Sequence, residues 1–105
     1  MANKYGNIKT VTSDGIKHDS IKEANRWCEL RLLERAGRIQ DLQRQVKYEL
    51  IPKQEGERAV FYIADFVYTE NGKKVVEDAK GCRTEVYKLK KKMMLYFHGI
   101  RIKET

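Results

Sequence analysis

Proline is nearly missing from this chain: Pro52 is the only one in 105 residues, and no long polar tract accompanies it. That composition argues against extensive disorder. Cysteine is scarce too. Cys28 and Cys82 lie far apart and match neither a zinc-site nor a redox spacing. Cys28 falls inside an expected helix and reads as a small core residue; Cys82, beside Gly81, reads as a free thiol in a loop. No apolar run approaches the roughly 20 residues of a membrane-spanning helix. The first residues, Met1 to Gly6, lack the apolar stretch of a secretory signal. A cytoplasmic location with no membrane partner is therefore expected.

Acidic residues are in deficit, 15 against 22 Lys and Arg, leaving a net charge of +7. The imbalance is uneven: residues 1–22 carry +2, residues 23–82 carry zero and residues 83–105 carry +5. The C-terminal excess rests on Arg83, Lys88, Lys90, Lys91, Lys92, Arg101 and Lys103. A polyanion, nucleic acid first, is the functional reading of such a cluster; a solvated lysine-rich helix face is the plain alternative. An anionic membrane fits less well, because the basic stretch forms no clean amphipathic anchor. Hydrophobic residues make up 41% of the chain, enough for one modest core, so residues 1–105 read as a single domain.

Residues 1–19 read as an irregular or weakly extended arm with a turn at Ser13-Asp14-Gly15. Ser20 and Glu23 have capping-box spacing and open a helix that runs to about Ala36, with Gly37 as its stop. A short segment at Ile39–Leu42 leads to a strand over Val46–Ile51, which Pro52 ends. Ala59–Thr69, rich in Val, Ile, Phe and Tyr, is the longest strand, and Lys73 to about Lys80 is the next. Thr84 caps a second helix through Met93, Met94 and Phe97, Gly99 stops it, and Ile100–Lys103 returns as a short strand. The order α-β-β-β-α-β describes an α/β (α+β) domain: a small mixed sheet flanked by helices.

The most informative local signal is Asn71-Gly72, a two-residue hairpin turn. It pairs Glu70 with Lys73, Thr69 with Lys74 and Tyr68 with Val75, and by continuation Asp65 with Asp78 and Ile63 with Lys80. Alternation then places Ile63, Asp65, Val67, Val76, Asp78 and Lys80 on one face. Like charges directly opposite destabilise a sheet. A metal ion, a shared proton or a nearby cation would neutralise them; a solvated face, where repulsion is screened, is the alternative.

Helix Glu23, strand Asp65 and then Asp78-Ala79-Lys80 form an ordered set. In Ile63-Ala64-Asp65-Phe66 and Val76-Glu77-Asp78-Ala79-Lys80-Gly81 the chain resembles the PD-(D/E)XK nuclease superfamily. Glu23, in Asp19-Ser20-Ile21-Lys22-Glu23-Ala24, looks like the helix glutamate of many members. The resemblance spans roughly residues 5–103. More narrowly, the chain resembles small phage and prophage proteins related to Holliday-junction-resolving endonucleases. It departs from the motif at Ala64, where the motif's name has proline, and at Asp78, where Glu is commoner.

The resemblance implies a restriction-endonuclease-like core and a Mg²⁺- or Mn²⁺-dependent endonuclease acting on DNA, with branched DNA such as four-way junctions as substrate, in the host cytoplasm if phage-encoded. Asp65 and Asp78 would hold the metal with the Ala79 carbonyl as a third ligand, and Glu23 would join directly or through water. Lys80 would orient the attacking water or stabilise the transition state. Arg83, Lys88, Lys91 and Lys92 would hold the DNA backbone. Symmetric cutting of a junction would require two active sites, hence a homodimer. A basic nucleic-acid-binding protein that keeps the fold without the chemistry, and a protein-interaction module, are the competing functions.

Other residues have plainer readings. Glu23 also serves as a capping-box residue, and Lys80 as a strand-end lysine guarding an edge. Glu77, on the face opposite Asp78, is structural. His18 reads as a lone surface histidine, with a residue that supports the site's ligands or a phosphate contact as alternatives, and His98 as a helix-dipole contact. Tyr87 and Tyr96 are DNA contacts or packing residues. Gln45 on the early strand stands near the site in the expected fold, while Met93 and Met94 belong to the core.

Overall fold

The computed structural model describes residues 9–79 and 83–105. It is a mixed α+β domain. A short hairpin, β1 (Thr10–Val11) with β2 (Lys17–His18), precedes helix α1 (Ile21–Arg35). Strands β3 (Gln40–Ile51), β4 (Val60–Glu70) and β5 (Lys73–Asp78) follow, then helix α2 (Glu85–His98) and strand β6 (Lys103–Glu104). The main sheet has the order β3-β4-β5-β6, antiparallel except for the parallel β5–β6 pair.

The capping signals act where the sequence places them. The Ser20 hydroxyl accepts the Glu23 N–H and opens α1; the Thr84 hydroxyl accepts the Tyr87 N–H and opens α2. Gly99, at φ 66°, closes α2 in the left-handed region. Asn71 and Gly72, at φ 52° and 75°, form the hairpin turn, which sets Glu70 against Lys73 and carries the register to Phe66 against Glu77.

Each helix covers one face of the sheet. On the α1 side, Trp27 and Leu30 pack with Ile39, Phe66, Tyr68 and Ala79. On the α2 side, Met94 packs with Leu50, Tyr62, Ala64, Val67, Val76 and Ile102, and Met93 borders the cluster. The two stripes differ in character. α1 buries only Glu23, Ala24, Trp27 and Leu30, so Cys28, about 100° round from Trp27, is exposed rather than in the core.

Four other expectations change. Residues 10–18 form a hairpin instead of an irregular arm, because Asp14 accepts the Ile16 N–H and Thr12 bonds both Asp14 and the Ile16 carbonyl. β3 is one strand of 12 residues rather than two pieces: Asp41 and Gln45, both at φ 54°, bend it without ending its pairing with β4. The last strand starts at Lys103, later than expected.

The fourth change concerns facing. Tyr62 and Ala64 lie in the α2-side core with Val67, whereas Phe66 and Tyr68 lie in the α1-side core. Strict alternation cannot do this, so β4 switches faces around Asp65. β3 switches at the same level: Leu42 borders the α1-side core and Val46 and Tyr48 the α2-side core. Ile63 is therefore not on a common face with Val67 and Val76; it is 47% exposed.

Candidate active site

Asp65 and Asp78 sit where β4 meets β5. They flank the Phe66–Glu77 pair, the last in the β4–β5 register, and both are fully buried. The solvated-face alternative does not describe them. Asp65 Oδ2 accepts the Ala79 N–H at 2.8 Å. Asp78 Oδ2 accepts the Tyr62 hydroxyl at 3.0 Å, and Asp78 Oδ1 lies 3.3 Å from Arg83 Nη1. Burial, then the charge and hydrogen bond of Asp78, hold the Tyr62 phenol well above the ordinary tyrosine range, so it stays a proton donor to the carboxylate. Lys80 lies outside the described residues, as does Cys82.

Glu23 enters from the first turn of α1 and is 3% exposed. Its Oε1 accepts the Gln45 amide Nε2 at 3.3 Å and lies 3.5 Å from His18 Nδ1 and 3.9 Å from Arg44 Nη2. His18 is thus a buried residue of β2 and not a surface histidine; burial first, then the Arg44 charge, lower its pKa and favour the neutral ring. Gln45 lies across from Asp65, between the Arg44–Phe66 and Val46–Ala64 pairs. It connects Glu23 to the acidic rung.

Asp65, Asp78 and Ala79 are brought together. Glu23 is not gathered with them into a metal cage: among the described residues no group of three or more His, Cys, Asp or Glu side chains is placed to share an ion. Two buried carboxylates and a main-chain carbonyl at Ala79 are hard oxygen donors. Mg²⁺ is commonly held by one or two carboxylates while keeping several waters, so this donor chemistry fits Mg²⁺ or Mn²⁺.

Glu77 faces the other way, as its alternation with Asp78 requires. It is fully buried and accepts from Arg26 Nε at 2.5 Å, Arg26 Nη2 at 3.1 Å, the Tyr68 hydroxyl at 2.5 Å and the Thr105 hydroxyl at 3.2 Å. Burial pushes its pKa up, but the hydrogen bonds from Arg26 and Tyr68 outweigh it and leave the carboxyl below its usual value. Glu77 is a structural clamp that ties α1, β4 and the C-terminus to β5 beside Asp78.

The four expected backbone-contact residues also come together. Arg83, Lys88, Lys91 and Lys92, joined by Arg101, line one concavity of about 700 Å³ beside α2. Its charge is partly balanced: Arg83 and Lys91 share Glu104, at 3.3 and 3.2 Å, and Lys88 pairs with Glu85. Arg83 reaches both Asp78 and this concavity, and its guanidinium lies over Tyr87. Tyr87 is half-buried, bonding Glu104 through its hydroxyl, while Tyr96 is exposed. His98 bonds the Glu49 carbonyl through Nε2.

Sequence reasoning missed Tyr62 and gave Gln45 little weight. Strict alternation puts Tyr62 on the face away from Asp78, and only the switch near Asp65 turns it inward. A strand register for β3 could have found Gln45, but β3 carries no turn signal to fix one. No curated protein and no solved structure matches the chain. A family match does extend over almost its whole length, and across residues 2–103 the chain belongs to the family described as "Protein of unknown function (DUF1064)".

Proposed function

We propose that this protein is a metal-dependent DNA endonuclease of the PD-(D/E)XK type. The observation that carries the reading is the pair Asp65 and Asp78: two carboxylates buried on neighbouring strands, Asp65 bonded to the residue after Asp78, next to a basic concavity. Burying paired like charges is costly unless a cation compensates them. Asp78 also lines a groove of about 360 Å³ with Tyr62, Tyr87 and Lys90.

A bound Mg²⁺ or Mn²⁺ would supply Lewis-acid stabilisation of the phosphate and a more acidic water. Asp65 and Asp78 would hold it, with the Ala79 carbonyl beside them. The Ala79 N–H fixes one oxygen of Asp65 and the Tyr62 hydroxyl one oxygen of Asp78, which aims both carboxylates before any ion arrives. Lys80, two residues beyond Asp78, has the motif's role of orienting the attacking water or stabilising charge on the phosphate. Arg83, Lys88, Lys91 and Lys92 would grip the DNA backbone, which gives affinity and salt dependence without sequence preference. Four-way junctions and related branched DNA are the proposed substrates, and a homodimer would supply the second active site for paired cuts.

The test is cleavage of labelled four-way junction, flap, duplex and single-stranded DNA with Mg²⁺, Mn²⁺ or EDTA, alongside Asp78→Ala. Cutting that needs the metal and is lost in the variant supports the proposal. Tight, salt-sensitive binding without cutting under any metal would replace it with a non-catalytic DNA-binding function.

A further inference from the structure

Gln45 is the least explained backbone in the sheet. Its φ of 54° lies in the left-handed region, which residues other than Gly, Asn and Asp seldom enter. Asn71 shares that sign in a tight turn and Asp41 at a β-bulge, so each has a local cause. Gln45 has neither: the β3–β4 pairs keep the same register on both sides of it, at Gln43 and Arg44 and again from Val46 to Glu49. Strain of this kind persists where the surroundings impose it, and it concentrates at functional sites. The rung it occupies is that of Asp65. It is also where β3 and β4 exchange faces, bringing Tyr62 to the side of Asp78.

The side chain adds a second, independent link. Gln45 is exposed, yet its amide donates to Oε1 of the buried Glu23. From β3, one residue therefore reaches two of the three elements that carry the candidate acids: it lies at the Asp65 rung of β4 and holds the glutamate of α1.

We propose that Gln45 is a positioning residue of the nuclease site: its left-handed backbone sets the turn of the Asp65 rung, and its amide holds Glu23 at that rung. This rests on reading Asp65 and Asp78 as metal ligands. An amide held in a disfavoured conformation for packing alone would be improved by glycine, which adopts φ 54° without strain. An amide kept for positioning would be missed.

Three variants separate the two. Gln45→Gly keeps the backbone and deletes the amide. Gln45→Asn keeps an amide and tolerates the left-handed region. Gln45→Val removes both. Mn²⁺ binding, read by electron paramagnetic resonance, and thermal unfolding are measured beside junction cleavage. Gln45→Gly is expected to melt at or above the wild-type temperature, bind Mn²⁺ at least fivefold more weakly and cut at least tenfold more slowly. Gln45→Asn should recover part of both functional losses, and Gln45→Val should lose stability as well. Wild-type Mn²⁺ affinity and cleavage in Gln45→Gly would overturn the inference while leaving the nuclease proposal intact. A wild-type protein that neither binds Mn²⁺ nor cuts would overturn both.

Discussion

Removing Arg26 should unfold much of the margin on which this small domain stands. Glu77 is fully buried, and two of its four hydrogen bonds come from the Arg26 guanidinium. Arg26→Met leaves an apolar side chain of similar length and a buried carboxylate with only Tyr68 and Thr105 as donors. Breaking a buried pair from one side costs about 3–5 kcal/mol, because the remaining charge loses its compensation. Arg26 keeps 19% of its side chain exposed, so water can partly replace it and the lower figure, about 3 kcal/mol, is expected. A domain of this size has a stability of about 5–15 kcal/mol. At about 4–8 °C per kcal/mol, the melting temperature should fall by at least about 12 °C. Trp27, the only tryptophan, reports urea and thermal unfolding directly. Arg26→Met combined with Glu77→Leu should regain most of the loss, since an apolar pair needs no compensation. A loss below about 1 kcal/mol in Arg26→Met would show that the pair acts as an ordinary surface ion pair, and the clamp argument would fail.

Three further outcomes are expected. Asp14, bonded first by the Thr12 hydroxyl and then by the Trp27 indole, has its pKa lowered to about 2. Its contribution is complete above the unfolded value near 3.8 and is lost as pH falls toward 2, so Asp14→Asn should lower the urea midpoint at pH 7 and converge with wild type between pH 4 and 2. Asp65→Asn and Lys80→Ala should each abolish junction cleavage with circular dichroism unchanged; full cleavage in both purified variants would remove the nuclease proposal. Lys91→Ala with Lys92→Ala should weaken DNA binding equally across sequences and reduce the slope of log affinity against log salt by about 2, measured by fluorescence anisotropy.

Where the sequence carried local chemistry, it was readable. Asn71-Gly72 favours one tight turn, and that turn set the β4–β5 register from Glu70 against Lys73 to Phe66 against Glu77. Ser20, Thr84 and Gly99 marked helix ends because each satisfies a specific backbone group. What failed was inference that assumed strict alternation. The face switch at the Asp65 rung coincides with a glutamine in a glycine-like conformation, which no propensity suggests, and with it went Ile63 and Tyr62. His18 could not be placed because its burial follows from α1 and β3 closing over a two-residue strand. Cys28 was misplaced because the buried stripe of α1 is narrower than its apolar content implies: Leu32 is 62% exposed.

The two left-handed residues of β3 have a bearing on how copies of this protein meet. β3 is an outer strand of the sheet, 12 residues long, and a flat outer strand of that length invites another chain to add to it and begin an aggregate. Bends at Asp41 and Gln45 interrupt the straight ladder an incoming strand would need, and the charges of Arg44, Lys47 and Glu49 are spaced along the same segment. The conformation proposed to set the acidic rung would thereby also guard the rim of the sheet against runaway association. A dimer built for paired cuts would then meet through helices or loops, each copy keeping its own four strands.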